Sequence, residues 1–118
     1  MEINSSEQLQ KPNLFEKFKE QLFKDFELSG LINDVPKINN NQLEHIFQSI
    51  LTSITSIENR DTTALKNLLY RIDLSEQQIR EALNKTPNRS YQEVITELII
   101  KRILQKVILK QNYSSSCQ

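Results

Sequence analysis

Few residues of this chain are of the types that carry out nucleophilic or metal chemistry. The sequence has one histidine, His45, and one cysteine, Cys117. Nucleophilic catalysis needs a nucleophile, a base and a group that orients the base, and a metal site needs several ligands at defined spacing. His45 falls on the polar face of a predicted helix, and Cys117 falls in the polar sequence SSSCQ. The sequence therefore predicts no enzyme and no catalytic or metal-binding residue.

Glycine and carboxylate patterns lead to the same interpretation. The chain has one glycine, Gly30, so it offers no glycine-rich loop that could cradle a phosphate. Its carboxylates lie beside lysines on polar helix faces, and no Glu-x-x-His pattern of a carboxylate di-metal site is present. We expect no cofactor and no small-molecule substrate. The formal net charge of zero disfavours nucleic acid as a partner.

The elements that must position any functional residue are helices. Leu, Ile, Lys, Glu and Gln are abundant, whereas one glycine and three prolines are too few for the turns of a sheet protein. The predicted fold class is all-α, a small orthogonal or up-down bundle of four to five helices with the last helix central. Apolar residues at helical spacing place these helices at about residues 13–28, 42–58, 62–72, 76–85 and 91–110.

Capping residues mark where the predicted helices begin, since a Ser, Thr, Asn or Asp side chain can accept a hydrogen bond from an unpaired backbone amide. Gly30 is expected to end the first helix in a left-handed conformation. The predicted N-terminal caps are Asn13 with Glu16, Asn41 with Glu44, Asp61 or Thr62, Ser75 with Gln78, and Ser90 with Glu93.

The chain is predicted to form one domain. Residues 1–12 are polar and are expected to be disordered, residues 13–111 form the single helical domain, and residues 112–118 form a polar tail. No apolar run follows a basic start at the N-terminus, and a single cysteine cannot form an internal disulfide. These features predict a cytoplasmic protein.

The helix predicted at residues 91–110 is apolar on two sides, whereas a surface helix usually carries one apolar stripe. Six charged residues along it argue against a membrane span. Three arrangements fit this pattern: a central helix, a helix that offers one side to a partner, or a kinked helix. The first stripe is Val94, Ile95, Leu98 and Ile99, and the second stripe is Ile100, Ile103, Leu104, Val107 and Ile108.

The second stripe leads to the first functional hypothesis. If it lay on the surface, it would bind a protein partner or a second copy of the chain. The predicted function is a non-enzymatic protein-protein interaction or self-association module, with a homodimer as one form of it. The partner-binding residues of this hypothesis are Ile100, Ile103, Leu104, Val107 and Ile108.

An alternative hypothesis is a helix-turn-helix-like nucleic-acid-binding regulator that uses residues 64–85. The third and fourth predicted helices are joined by a short turn, as in that motif. Glu76 and Glu81 lie on the helix that would enter the groove, and the chain is neutral, which disfavours this alternative. The side chains of that helix that could read base edges are Gln77, Gln78, Arg80 and Lys85.

Overall fold

A computed structural model describes residues 4–116 of the chain, with side chains over residues 4–111. This part of the chain is all-helical and contains no strand, which confirms the predicted fold class. Its elements in chain order are α1 (Ser5–Leu9), α2 (Pro12–Leu28), a 3₁₀ turn (Ile32–Asp34), α3 (Leu43–Arg60), α4 (Thr62–Ile72), α5 (Glu76–Lys85) and α6 (Tyr91–Ser116).

The last helix is central, as its two apolar stripes predicted. α6 packs against each of the other five α-helices, and its most extensive neighbours are α2 and α3. Three first-stripe residues, Val94, Ile95 and Ile99, are buried together with Ile100, Ile103, Leu104 and Val107 of the second stripe. A helix that is apolar all round is stable in water only when other elements enclose it, and here the bundle itself does so.

The N-terminal segment differs from the prediction of disorder over residues 1–12. Within its described part, Asn4 caps α1 by accepting a hydrogen bond from the amide of Glu7 at 3.0 Å. Leu9 has no exposed surface, and α1 packs on α2, α3 and α6. One leucine among polar residues carries no periodic signal, so the sequence could not indicate this burial.

The other end of the bundle also differs in extent. α6 continues to Ser116, beyond the predicted end at residue 110 and into the segment expected to be a polar tail. Cys117 lies outside the described residues. Within them, no helix is long and apolar enough to cross a membrane.

Three of the five predicted N-terminal caps are confirmed. Ser75 and Gln78 form a complete capping box, Ser90 and Glu93 form another, and Asp61 caps α4. Gly30 adopts the expected positive φ of 77° after α2. The predictions at Asn13 and Asn41 were wrong, because α2 begins one residue earlier at Pro12 and α3 begins at Leu43. Proline is favoured in the first turn, where its missing amide is not needed.

A buried ion pair links the two ends of the sequence. The carboxylate of Asp25 on α2 is almost fully buried and lies 3.2 Å from the ammonium nitrogen of Lys106 on α6. Gln21 donates a second hydrogen bond to this carboxylate at 3.1 Å, and Lys106 also donates to the backbone carbonyl of Arg71 at the end of α4, at 3.3 Å. One lysine therefore joins α2, α4 and α6.

Substitution of Leu104 by Ala should destabilise the protein by about 2–5 kcal/mol, since a fully buried leucine leaves a cavity. Leu109 on the same helix is 60% exposed and provides the matched control. Its substitution by Ala should change the free energy of unfolding by no more than about 0.5 kcal/mol. Urea unfolding followed by circular dichroism measures both. Equal effects of the two substitutions would contradict the central placement of α6.

Candidate interaction groove

The residues predicted to bind a partner lie mainly inside the monomer. Ile103 and Leu104 are completely buried, Ile100 and Val107 are 2% and 3% exposed, and Ile108 is half-buried. In this fold they stabilise the monomer and do not form a surface. A site for a partner has to be sought where other residues reach the surface. Ile100 and Val107 lie at the base of two surface grooves.

The first groove lies between α1, α3 and α6, and we name it the acidic groove. It has a volume of about 570 Å³. Leu43, Phe47 and Ile100 contribute its apolar surface. The remaining lining residues are polar or charged: Asn4, Ser5, Ser6, Glu44, Gln48, Arg89, Glu93, Glu97 and Lys101.

Helical spacing brings these residues to one place. Glu93, Glu97 and Lys101 are four residues apart, so they follow one face of α6. Leu43 and Phe47 have the same spacing on the first turns of α3. The capping box of Ser90 and Glu93 fixes the point at which α6 begins, and α1 adds the third wall because Leu9 is buried in the core.

A cluster of charges holds one side of the groove. The Glu97 carboxylate accepts a hydrogen bond from Arg89 and forms an ion pair with Lys101 at 3.1 Å. The Arg89 guanidinium also lies over the ring of Phe47, 5.5 Å from its centroid, which is a cation-π distance. Burial raises the pKa of Glu97, but the two cations outweigh this effect, and its pKa lies below the usual range.

The charges that remain available at this groove are negative. Three carboxylates and two cations line it, and both cations are paired with Glu97. In the described part of the chain neither Glu44 nor Glu93 has an ion-pair partner within 4 Å. Hydrogen bonds with Ser90 lower the pKa of Glu93 and so favour its ionised form. The groove therefore combines apolar side chains with a net negative rim.

The second groove lies between α2 and the C-terminal part of α6, and we name it the lysine groove. Its volume is about 400 Å³, and its lining includes Lys17, Lys24 and Lys110 but one carboxylate, Glu20. The ammonium of Lys110 donates a hydrogen bond to the neutral side chain of Gln21 at 2.7 Å, and among the described residues no carboxylate lies within ion-pair distance of it. The two grooves therefore carry opposite charge although the chain as a whole is neutral.

His45, on the first turn of α3, has a structural role, since it holds the loop that precedes this helix. Its Nε2 atom accepts a hydrogen bond from the backbone amide of Asn39 at 2.9 Å, which holds the connection before α3. Across residues 4–116, no three His, Cys, Asp or Glu side chains come together as a metal-binding group. The lining residues of the acidic groove include no histidine or cysteine.

The two helices of the helix-turn-helix alternative are present, but they do not pack together as that motif requires. α4 and α5 are joined by the three residues 73–75, as expected. Among the described helices, however, α5 packs on α6, and α4 packs on α2, α3 and α6, so α4 and α5 do not pack on each other. Two of the proposed base-reading side chains are engaged within α5, because Gln78 belongs to the capping box and Gln77 donates to Glu81 at 3.2 Å. Nucleic-acid binding by residues 64–85 stays a prediction.

Comparison with protein-family models, with curated proteins and with solved structures finds no match. The interpretation of the grooves therefore depends on their own geometry. The sequence identified the Ser90–Glu93 box, but it did not bring this box together with Leu43 and Phe47 of α3. The one signal available in the sequence was the spacing of Glu97 and Lys101, a favourable helical ion pair.

Arg89→Ala should raise the pKa of Glu97 toward the usual range, since it removes one of the two cations that stabilise the carboxylate. In the intact protein the contribution of this ion cluster to stability is present above the unfolded-state pKa of Glu97. It is lost as the pH falls through the lower folded-state pKa. Carbon-13 NMR titration of the Glu97 carboxylate measures the change. Lys24→Ala, at a lysine outside the acidic groove, is the control, and an unchanged pKa in Arg89→Ala would show that the pairing is absent in solution.

Proposed function

We propose that this chain is a non-enzymatic protein-interaction module whose acidic groove takes a short amphipathic segment of a protein. The observation that carries the proposal is the combination in one groove of an apolar base with a rim of net negative charge. The second apolar stripe of α6, on which the sequence hypothesis depended, supports the monomer core instead. The proposed class of function is the same as in the sequence hypothesis. The proposed binding site is different, since it is formed by α1, α3 and the first half of α6.

The groove is pre-organised for such a segment. The Arg89 guanidinium lies over the Phe47 ring, and Arg89 is in turn held by its hydrogen bond to Glu97. Side chains that are already ordered lose little conformational entropy when a partner binds, so more of the contact energy remains as affinity. Aromatic and arginine side chains are also the types that contribute most binding free energy at protein interfaces.

The chemistry of the groove defines the segment that fits it. Apolar side chains of the partner would replace water over Leu43, Phe47 and Ile100. Lysine or arginine side chains next to them would meet Glu44 and Glu93, which have no ion-pair partner within 4 Å in the described part of the chain. A helix that presents an exposed apolar residue with a basic residue beside it satisfies both requirements.

Selection of displayed random peptides on the immobilised protein tests this function. We expect the selected sequences to combine apolar and basic residues, and we expect Phe47→Ala to weaken their binding at least about tenfold because an aromatic contact is lost. Phe23→Ala is the matched control, since Phe23 is an exposed phenylalanine on α2 outside the groove. Binding is measured by fluorescence anisotropy, and circular dichroism verifies that both variants are folded.

Glu44→Lys provides an independent readout, because Glu44 is exposed and its substitution leaves the core unchanged. It should weaken the selected peptides and flatten the dependence of their binding on salt. Peptides that bind wild type, Phe47→Ala and Glu44→Lys equally would refute the groove as the binding site.

A further inference from the structure

The C-terminal part of α6 carries the features that the acidic groove requires of a ligand. Leu109 is 60% exposed, which is the largest exposure of any aliphatic side chain among the described residues. Lys110 follows it directly and is also exposed. This pair places one apolar side chain beside one ammonium group on a helix, next to the positive charges of Lys17 and Lys24 in the lysine groove.

We propose that the occupant of the acidic groove is the Leu109–Lys110 segment, in the C-terminal part of α6, from a second copy of this chain. Leu109 would cover Phe47 and Leu43, and the ammonium of Lys110 would lie near Glu44 and Glu93. This inference depends on the proposed function of the groove and names its ligand. Charge complementarity between the two ends of α6 is the observation that selects a second copy.

A single molecule cannot make this contact with itself. Glu97 lines the acidic groove and Lys110 lies thirteen residues later in the same continuous helix. At 1.5 Å per residue, their separation along the axis is about 20 Å. A continuous helix cannot fold back on its own first half, so the contact forms between two molecules.

The contact is heterologous, since two different surfaces meet. Each molecule that uses its groove still has a free α6 end, and each molecule that uses its α6 end still has a free groove. Such contacts give head-to-tail chains, or rings where the rotation between neighbours closes. The small volume of the groove indicates a limited interface, so association should be reversible and should increase with protein concentration.

Sedimentation equilibrium at low and high protein concentration tests the proposal. The wild-type protein should show a mass that rises with concentration and falls with added salt. Leu109→Lys should weaken the association at least about tenfold, because the apolar contact is lost and an ammonium group would have to be desolvated over the apolar side chains of Leu43 and Phe47. Leu28→Lys is the matched control, since Leu28 is 51% exposed on α2 and should leave the association unchanged.

Two complementation experiments identify the contact itself. Glu44→Lys and Lys110→Glu should each weaken association by like charge, and the chain that carries both substitutions should recover it. An equimolar mixture of Phe47→Ala, which keeps its α6 end, with Leu109→Lys, which keeps its groove, should form a dimer of one copy of each and no larger species. Each of these variants alone should remain monomeric.

The outcomes separate this inference from the proposed function. A strict monomer at every concentration, or an association that Leu109→Lys leaves unchanged, overturns the self-docking of α6. Groove-dependent binding of the displayed peptides would then still support a foreign protein as the occupant. A self-association that Glu44→Lys and Phe47→Ala leave unchanged overturns the assignment of the acidic groove as its site.

Discussion

The enclosure of α6 is the constraint on which the rest of the structure depends. This helix carries apolar side chains on two sides, and their contact with water would be unfavourable on either side alone. Every other α-helix of the described chain packs on α6, and the buried residues of α2, α3 and α4 converge on it to form one core. The short helices α1 and α5 complete the cover over its first half. The bundle is therefore organised around one helix instead of around a symmetric interior.

The two grooves exist because the other helices do not cover α6 completely. α6 has 26 residues, whereas α1 has five and α5 has ten. Five shorter helices cannot cover such a rod evenly, and grooves remain where neighbouring helices diverge. Ile100 lies at the base of the acidic groove and Val107 at the base of the lysine groove, both from the stripe that the sequence assigned to a partner. In the structure this stripe is mostly buried, and only Ile100 and Val107 reach the two grooves, below the charged side chains that line them.

Polar side chains determine how the helices are held around α6. A buried carboxylate such as that of Asp25 is tolerated when an opposite charge and further hydrogen bonds compensate for its lost hydration, and Lys106 and Gln21 supply them. Arg89 and Lys101 do the same for Glu97 at the surface. Together these two clusters include three of the six charged side chains at residues 91–110, Glu97, Lys101 and Lys106. Among the described residues, the carboxylates of Glu44 and Glu93 at the acidic groove have no ion-pair partner within 4 Å, and three lysines with one carboxylate line the lysine groove. The two grooves therefore carry opposite net charge.

By itself the sequence determined the fold class and the positions of the five longer helices, because the spacing of apolar residues is a local signal and three of the five predicted caps match the structure. It left a central α6 as one of three arrangements. It could not determine whether either apolar stripe of α6 is exposed to a partner, since the burial of each stripe depends on which other helix packs against it. The helix at Ser5–Leu9 depended on one buried leucine, and the acidic groove depended on residues from three helices that are distant in the chain. Only the tertiary structure decided these features, since long-range packing selects between alternatives that have the same local pattern.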